Sequence, residues 1–297
     1  MSPRALGALA LASVLAGCGD STTGPTPDEL PAQPIPLTPT GGVQATSDTP
    51  TFSVRNAKGF DLGQAQYTIR VFGEKGGKEI ASVTVPASRT ITSTMLPEPL
   101  PRSLTLTWNA TAMGAAGSFT SASATFRTVS VDCVPGRDPF AKSVVDSFVP
   151  TCSLAQNLYN DPAAVLGPPD AGGTAPNHFH GFMSLGEKGY VTLDMEGCAV
   201  DGAGADVRVF QSVSGEPVML YASGRPNGPF ALLDYRKYCG NKSDGLFSNH
   251  CDFDLGAAGL EEARYFRIED GEQYPCPGDT VTEGADIDAI QILREKP

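Results

Sequence analysis

Three observations predict an all-β chain of two sandwich domains. Apolar residues recur at every second position over short runs: Tyr67, Ile69 and Val71, then Leu104, Leu106 and Trp108, then Val191, Leu193 and Met195. That period marks half-buried strands. Turn residues separate the runs, drawn from 33 glycines and 25 prolines. No stretch has helical periodicity beyond a turn or two near residues 162–166. At 297 residues the chain is long enough for two domains. Its formal charge of −12 argues against electrostatic capture of nucleic acid or of an anionic membrane.

Residues 1–17 read as a targeting segment. Arg4 supplies a positive start, and residues 5–15 form an apolar run too short to span a bilayer. The run ends in Leu15-Ala-Gly-Cys18, which resembles the bacterial lipobox. The resemblance implies cleavage before Cys18 and acylation of its thiol, so the membrane is a partner through a lipid anchor. Gly19 at the following position implies the outer membrane, by the sorting rules of diderm bacteria. Residues 18–42 form the anchor and a tether rich in Ser, Thr, Pro and Gly. It has too little apolar surface to fold and too much proline to be a floppy coil.

Residues 43–131 are predicted as the first domain. Candidate strands are Thr51–Arg55, 65–73, Glu79–Pro86, 90–95, 103–113 and 121–131. Six or seven short strands over this length predict an immunoglobulin- or fibronectin-type sandwich. Trp108 sits at an alternating strand position and is read as core rather than as a ligand platform. Pro50-Thr-Phe-Ser-Val54, Tyr67-Thr-Ile-Arg-Val71, the run from Leu104 through Trp108 to Ala112, and Thr125-Phe-Arg-Thr128 resemble the fibronectin type III-like modules of bacterial surface proteins. Leu106 departs from the pattern, standing where those modules usually carry a tyrosine.

Residues 132–297 are predicted as the second domain, organised around Ser184 to Gln211: two strands joined by a turn containing Gly202 and Gly204. Further strands are read over residues 216–224, 252–256, 263–270 and 286–293. In order, Tyr159-Asn-Asp-Pro to Asp170, Gly189-Tyr-Val-Thr-Leu193, Gly204-Ala-Asp-Val-Arg-Val-Phe210, Val218-Met-Leu-Tyr-Ala-Ser-Gly224, Ala263-Arg-Tyr-Phe-Arg-Ile268 and Asp286-Ile-Asp-Ala-Ile290 resemble the discoidin-like, galactose-binding-like jelly roll of bacterial cell-surface proteins. Gln211 departs from it, standing where the family commonly has a glutamate.

With Cys18 lipidated, six cysteines remain: Cys133, Cys152, Cys198, Cys239, Cys251 and Cys276. An even number in an exported chain predicts three disulfides, with fifteen possible connectivities. Proximity in sequence favours Cys133–Cys152 and Cys239–Cys251, which leaves Cys198 with Cys276. No C-x-x-C appears to suggest a metal instead.

The jelly-roll resemblance implies a structural calcium beside the first loop and the last strand, with Asp161, Asp201, Asp206, Asp286 and Asp288 as candidate ligands. Oxygen-only ligation suits that ion. His178, Phe179, His180 and Phe182 form a candidate ligand rim, since loop tips often carry binding in sandwiches. The two histidines, with His250, also make a weaker metal set. No G-x-S-x-G, Walker or Rossmann pattern occurs, and the reading is non-enzymatic. The expected role is envelope binding or adhesion, with a glycan or envelope protein as partner. The alternatives are a purely structural envelope subunit and, behind it, a cryptic hydrolase.

Overall fold

The computed structural model describes residues 32–59, 64–73, 77–115, 117–150, 159–171, 180–212, 216–239, 249–271 and 284–297. The targeting segment, Cys18, Cys152, Cys276, His178 and Phe179 lie outside the described residues. The fold is all-β: two β-sandwich domains, with 3-10 turns at Pro162–Val165 and Leu255–Ala258 as the described helical segments.

The first sandwich comprises β1 (Ile35–Thr38), β2 (Thr51–Arg55), β3 (Gln66–Gly73), β4 (Glu79–Pro86), β5 (Ile91–Met95), β6 (Thr105–Gly114), β7 (Gly117–Thr120) and β8 (Ala124–Arg127). A three-stranded sheet ordered β1-β2-β5 faces a sheet ordered β4-β3-β6-β7, with β8 also paired to β6. Splitting consecutive strands between two antiparallel sheets is the immunoglobulin-type solution to burying both inner faces. Phe52, Tyr67, Ile69, Trp108 and Phe126 fill the core. Trp108 meets Phe52 edge-on at 5.1 Å, and its indole Nε1 donates to the Pro39 carbonyl at 2.6 Å. It is core, as its strand position predicts.

Strand β1 lies within the stretch read as tether. Ile35 pairs with Arg55, and Pro36 is tolerated because β1 is an edge strand. The folded domain therefore begins ahead of residue 43. Four residues among prolines carry too little periodicity to be legible alone.

The second sandwich comprises β9 (Ser143–Phe148), β10 (Met183–Ser184), β11 (Tyr190–Val200), β12 (Val207–Gln211), β13 (Pro217–Ser223), β14 (Ala231–Tyr238), β15 (Asn249–Phe253), β16 (Glu262–Asp270) and β17 (Asp286–Ile292). A four-stranded sheet, β10-β17-β12-β15, packs on a five-stranded sheet, β14-β13-β16-β11-β9. The two strands of the 184–211 stretch are present, but they do not pair with each other. β11 lies between β16 and β9, while β12 lies between β17 and β15. Their glycine-rich turn is thus a corner between the sheets rather than a hairpin.

Two disulfides are described, Cys133–Cys198 and Cys239–Cys251, with Cα separations of 5.4 and 4.7 Å. The second agrees with the proximity argument. The first overturns it: Cys133 does not pair with Cys152, nor Cys198 with Cys276. The interdomain link runs beside β11, where the Val134 amide donates to the Glu196 carbonyl at 2.9 Å, so Cys198 is the spatial neighbour despite 65 intervening positions.

A polar seam joins the sandwiches. Glu262 is buried and accepts from the Ser103 hydroxyl, the Val131 amide at 3.0 Å and Lys296 at 2.6 Å. Burial alone would raise its carboxyl, but these donors outweigh burial and hold it below the ordinary value. Glu261 pairs with Arg127 and accepts from Thr105 at 2.8 Å. Gly224 is required here, since a Cβ on it would sit 2.7 Å from Val131 Cγ2 and 2.8 Å from Arg102 Cβ.

Candidate functional site

The predicted calcium ligands separate in space. Asp201 and Asp206 come together with Asp254, which was not in the set, and one oxygen of each lies within 4.8 Å of the others. Asp206 is fully buried; its Oδ2 accepts from the Leu255 amide at 3.0 Å and its Oδ1 from Arg294 Nε at 3.3 Å. Asp254 caps the turn it precedes, accepting from the Gly256 amide at 2.7 Å. The oxygen-only donor set suits calcium, but both oxygens of Asp206 already accept hydrogen bonds and Arg294 supplies a cation. Burial nonetheless raises the Asp206 carboxyl above its ordinary value, with Asp201 and Asp254 adding to it against the Leu255 amide and Arg294.

Asp161, Asp286 and Asp288 do not join that cluster. Asp161 caps the 162–165 turn by accepting from the Ala163 amide. Asp288 accepts from the amides of Asp170 and Ala171 at 2.9 and 3.1 Å, tying the first loop to the last strand. Asp286 lies opposite Ser184 on the neighbouring strand. Burial pushes the carboxyls of Asp286 and Asp288 up to about 6, against the pull of the Ser184 hydroxyl in one case and the two amides in the other. Asp161 and Asp288 thus bind backbone amides of nearby turns.

The proposed rim fares no better where it is described. Phe182 is buried and stacks on Tyr159 at 4.8 Å, so it is core rather than rim. His180 is exposed, while His250 is buried against Phe210 at 6.0 Å; among the described residues they share no metal-ligand cluster.

The outer face of the five-stranded sheet offers more. Inward positions Val191, Leu193, Leu220, Phe266 and Ile268 are fully buried; the alternates Tyr190, Tyr221, Arg267 and Glu269 lie on the outer face, each partly exposed, while Thr192 there is covered. There Arg267 stands between two rings, its guanidinium 4.4 Å from the centre of Tyr190 and 4.8 Å from that of Phe230. Its Nε donates to Thr192 at 2.9 Å. Phe148, half exposed, lies 6.1 Å from Tyr190, whose hydroxyl donates to Asp146 at 2.8 Å. Across the sheet, Arg267 pairs with Tyr221 and Tyr221 with Leu232. Burial and the neighbouring Glu269 carboxylate raise the Tyr221 phenol above its ordinary value. The result is a half-exposed floor of rings carrying planar polar groups. The sequence held a signal for it: the solvent-facing positions of β13 and β16 carry Met219, Tyr221, Tyr265, Arg267 and Glu269, bulkier than a solvated face requires.

That face ends at a cleft of about 450 Å³ between the two sandwiches, lined among others by Asp48, Arg102, Arg225, Asn227, Arg264 and Tyr265. Asp48 accepts from Arg102 through both oxygens at 3.0 Å and also pairs with Arg225. Burial would raise the Asp48 carboxyl, but the two guanidiniums outweigh it and hold it low. Arg264 is bonded to both oxygens of Asp194. The buried Nε of Arg225 finds no acceptor among the described residues. A buried donor left unmet costs about 1–3 kcal/mol.

No family model and no curated protein matches this chain. Among solved structures, the FN1-FN3 domains of chicken CNTN1 align at 11% identity with a TM-score of 0.23, covering 90% of this chain and 69% of that one. The native alfa-L-rhamnosidase of Aspergillus terreus aligns at 10% identity with a TM-score of 0.26; 86% of this chain is covered, but only 26% of that one. At such scores neither likeness bears on activity, and the assignment of two β-sandwiches rests on the strand order described above.

Proposed function

We propose that this chain is a lipid-anchored outer-membrane binding protein whose second domain, a discoidin-like jelly roll, takes a neutral carbohydrate. One observation carries the reading: the ring-lined outer face built from Tyr190, Arg267, Phe230 and Tyr221. A sugar ring has an apolar C–H face edged by hydroxyls. Half-exposed aromatic rings take that face, and planar carboxylate and guanidinium groups take the hydroxyls. Support for the anchor comes from Leu15-Ala-Gly-Cys18. In this reading the tether and the fibronectin-like domain hold the jelly roll off the membrane.

The test is a glycan array probed with the full chain. Binding is expected, with Tyr221→Ala and Arg267→Ala each weakening it about tenfold or more. Wild-type binding by both variants would move the site off this face. No binding to any glycan would favour a structural envelope subunit. Cys18→Ala should release the protein from the membrane fraction, and retention at the wild-type level would refute the anchor.

A further inference from the structure

Two strands run from the ring-lined face directly into the interdomain cleft. On β16 the outward positions are Glu269, Arg267 and Tyr265, and Tyr265 is itself a cleft residue. On β13 Tyr221 leads to Ser223, which pairs with Tyr265, and then to the turn bearing Arg225 and Asn227. Alternate residues on a strand lie roughly 7 Å apart, so Glu269 to Tyr265 spans roughly 13 Å. That is longer than one pyranose ring. Tyr265 belongs to both, which makes face and cleft available to a ligand as one continuous groove.

We propose that the cleft is the end subsite of this groove, so that the ligand is an oligosaccharide held by both domains rather than a single sugar on the jelly roll. The inference rests on the carbohydrate reading above and adds the first domain to the site. Arg102 and Asp48, from the first domain, form the far wall with Arg225 from the second. The charges balance: Arg102, Arg225 and Arg264 face Asp48, Asp132 and the Asp194 behind them. With the whole chain at −12, a balanced cleft suits a neutral ligand rather than a polyanion. Vicinal hydroxyls can accept from the guanidiniums and donate to the carboxylates. The seam bonds of Glu261 and Glu262 hold the two walls in fixed register before binding.

Calorimetric titration of the full chain tests this, using neutral gluco-, manno-, xylo- and galacto-oligosaccharides, each as dimer and hexamer. For whichever series binds, the hexamer should bind about tenfold more tightly than the dimer. Asn227→Ala changes an exposed cleft residue with no role in the core, and Tyr265→Ala changes the junction. Each should bring hexamer affinity down toward that of the dimer. Tyr221→Ala should weaken both lengths. If the hexamer binds Asn227→Ala and Tyr265→Ala as it binds wild type, the ligand stays on the face; the two-domain site is then wrong while the carbohydrate reading survives. If no oligosaccharide binds the wild-type chain, both fall.

Discussion

Asp286 and Asp288 are buried carboxylates whose protons leave near pH 6 in the folded chain, about two units above the unfolded value. Between about pH 4 and pH 6 the folded state therefore binds more protons than the unfolded one, and stability falls as pH rises through that window. Above it the penalty is constant, about 3 kcal/mol for each acid if nothing else relaxes. Asp286→Asn should thus be more stable than wild type by about 2–3 kcal/mol at pH 7 and equal to it near pH 4. Urea unfolding at the two values measures this; an equal difference at both would remove ionisation as the cause. The Asp206 carboxyl is also raised by burial, against an amide on one oxygen and a guanidinium on the other. Arg294→Gln should cost about 1–2 kcal/mol, because it leaves Asp201, Asp206 and Asp254 without their cation. Millimolar calcium should then restore part of the lost melting temperature, while the wild-type protein gains less. No rescue by calcium would leave Arg294 with a packing role alone. Asp201 and Asp206 were legible as one acidic turn. Asp254, nearly fifty positions on, was not, since only the meeting of two sheet corners brings it there.

At the scale of elements, the corner between β11 and β12 shows where local reasoning stops. Both strands are written in their alternation, but whether a glycine-rich turn closes a hairpin or crosses between sheets depends on which distant strands offer edges. The disulfides follow the same rule. Cys239–Cys251 closes a loop of 12 positions between consecutive strands of opposite sheets, whereas Cys133–Cys198 closes one of 65. If constraint of the unfolded chain dominates, the longer loop is worth about 4 kcal/mol and the shorter about 3. Replacing both members of each pair by serine should therefore destabilise more at Cys133/Cys198 than at Cys239/Cys251. The reverse order in chemical denaturation would point to native packing rather than loop entropy.

Over the whole molecule, the seam decides whether the two sandwiches act together. Asp48 and Glu262 are both held below their ordinary values, so the stability they contribute is complete at neutral pH and lost as pH falls through those depressed values. Below about pH 4 the seam should weaken, just where relief of Asp286 and Asp288 is complete. Gly224→Ala probes the seam without adding or removing a charge. Its Cβ would press on Val131 and Arg102, so a loss of about 1–3 kcal/mol and wider domain spacing in solution scattering are expected. Unchanged scattering and stability would show that the seam yields at little cost.

The sequence alone determined the all-β class, most strand positions, the core role of Trp108 and the Cys239–Cys251 pair, because alternation, turn chemistry and short loops are local properties of neighbouring residues. Tertiary structure alone decided the partner of Cys133, the place of β1, the separation of the five candidate acids, and the cleft that brings Asp48 and Arg102 to Arg225 and Tyr265. Each of these depends on which distant segments share a sheet edge or a seam. A residue's spacing along the chain carries no record of the strand that will lie beside it.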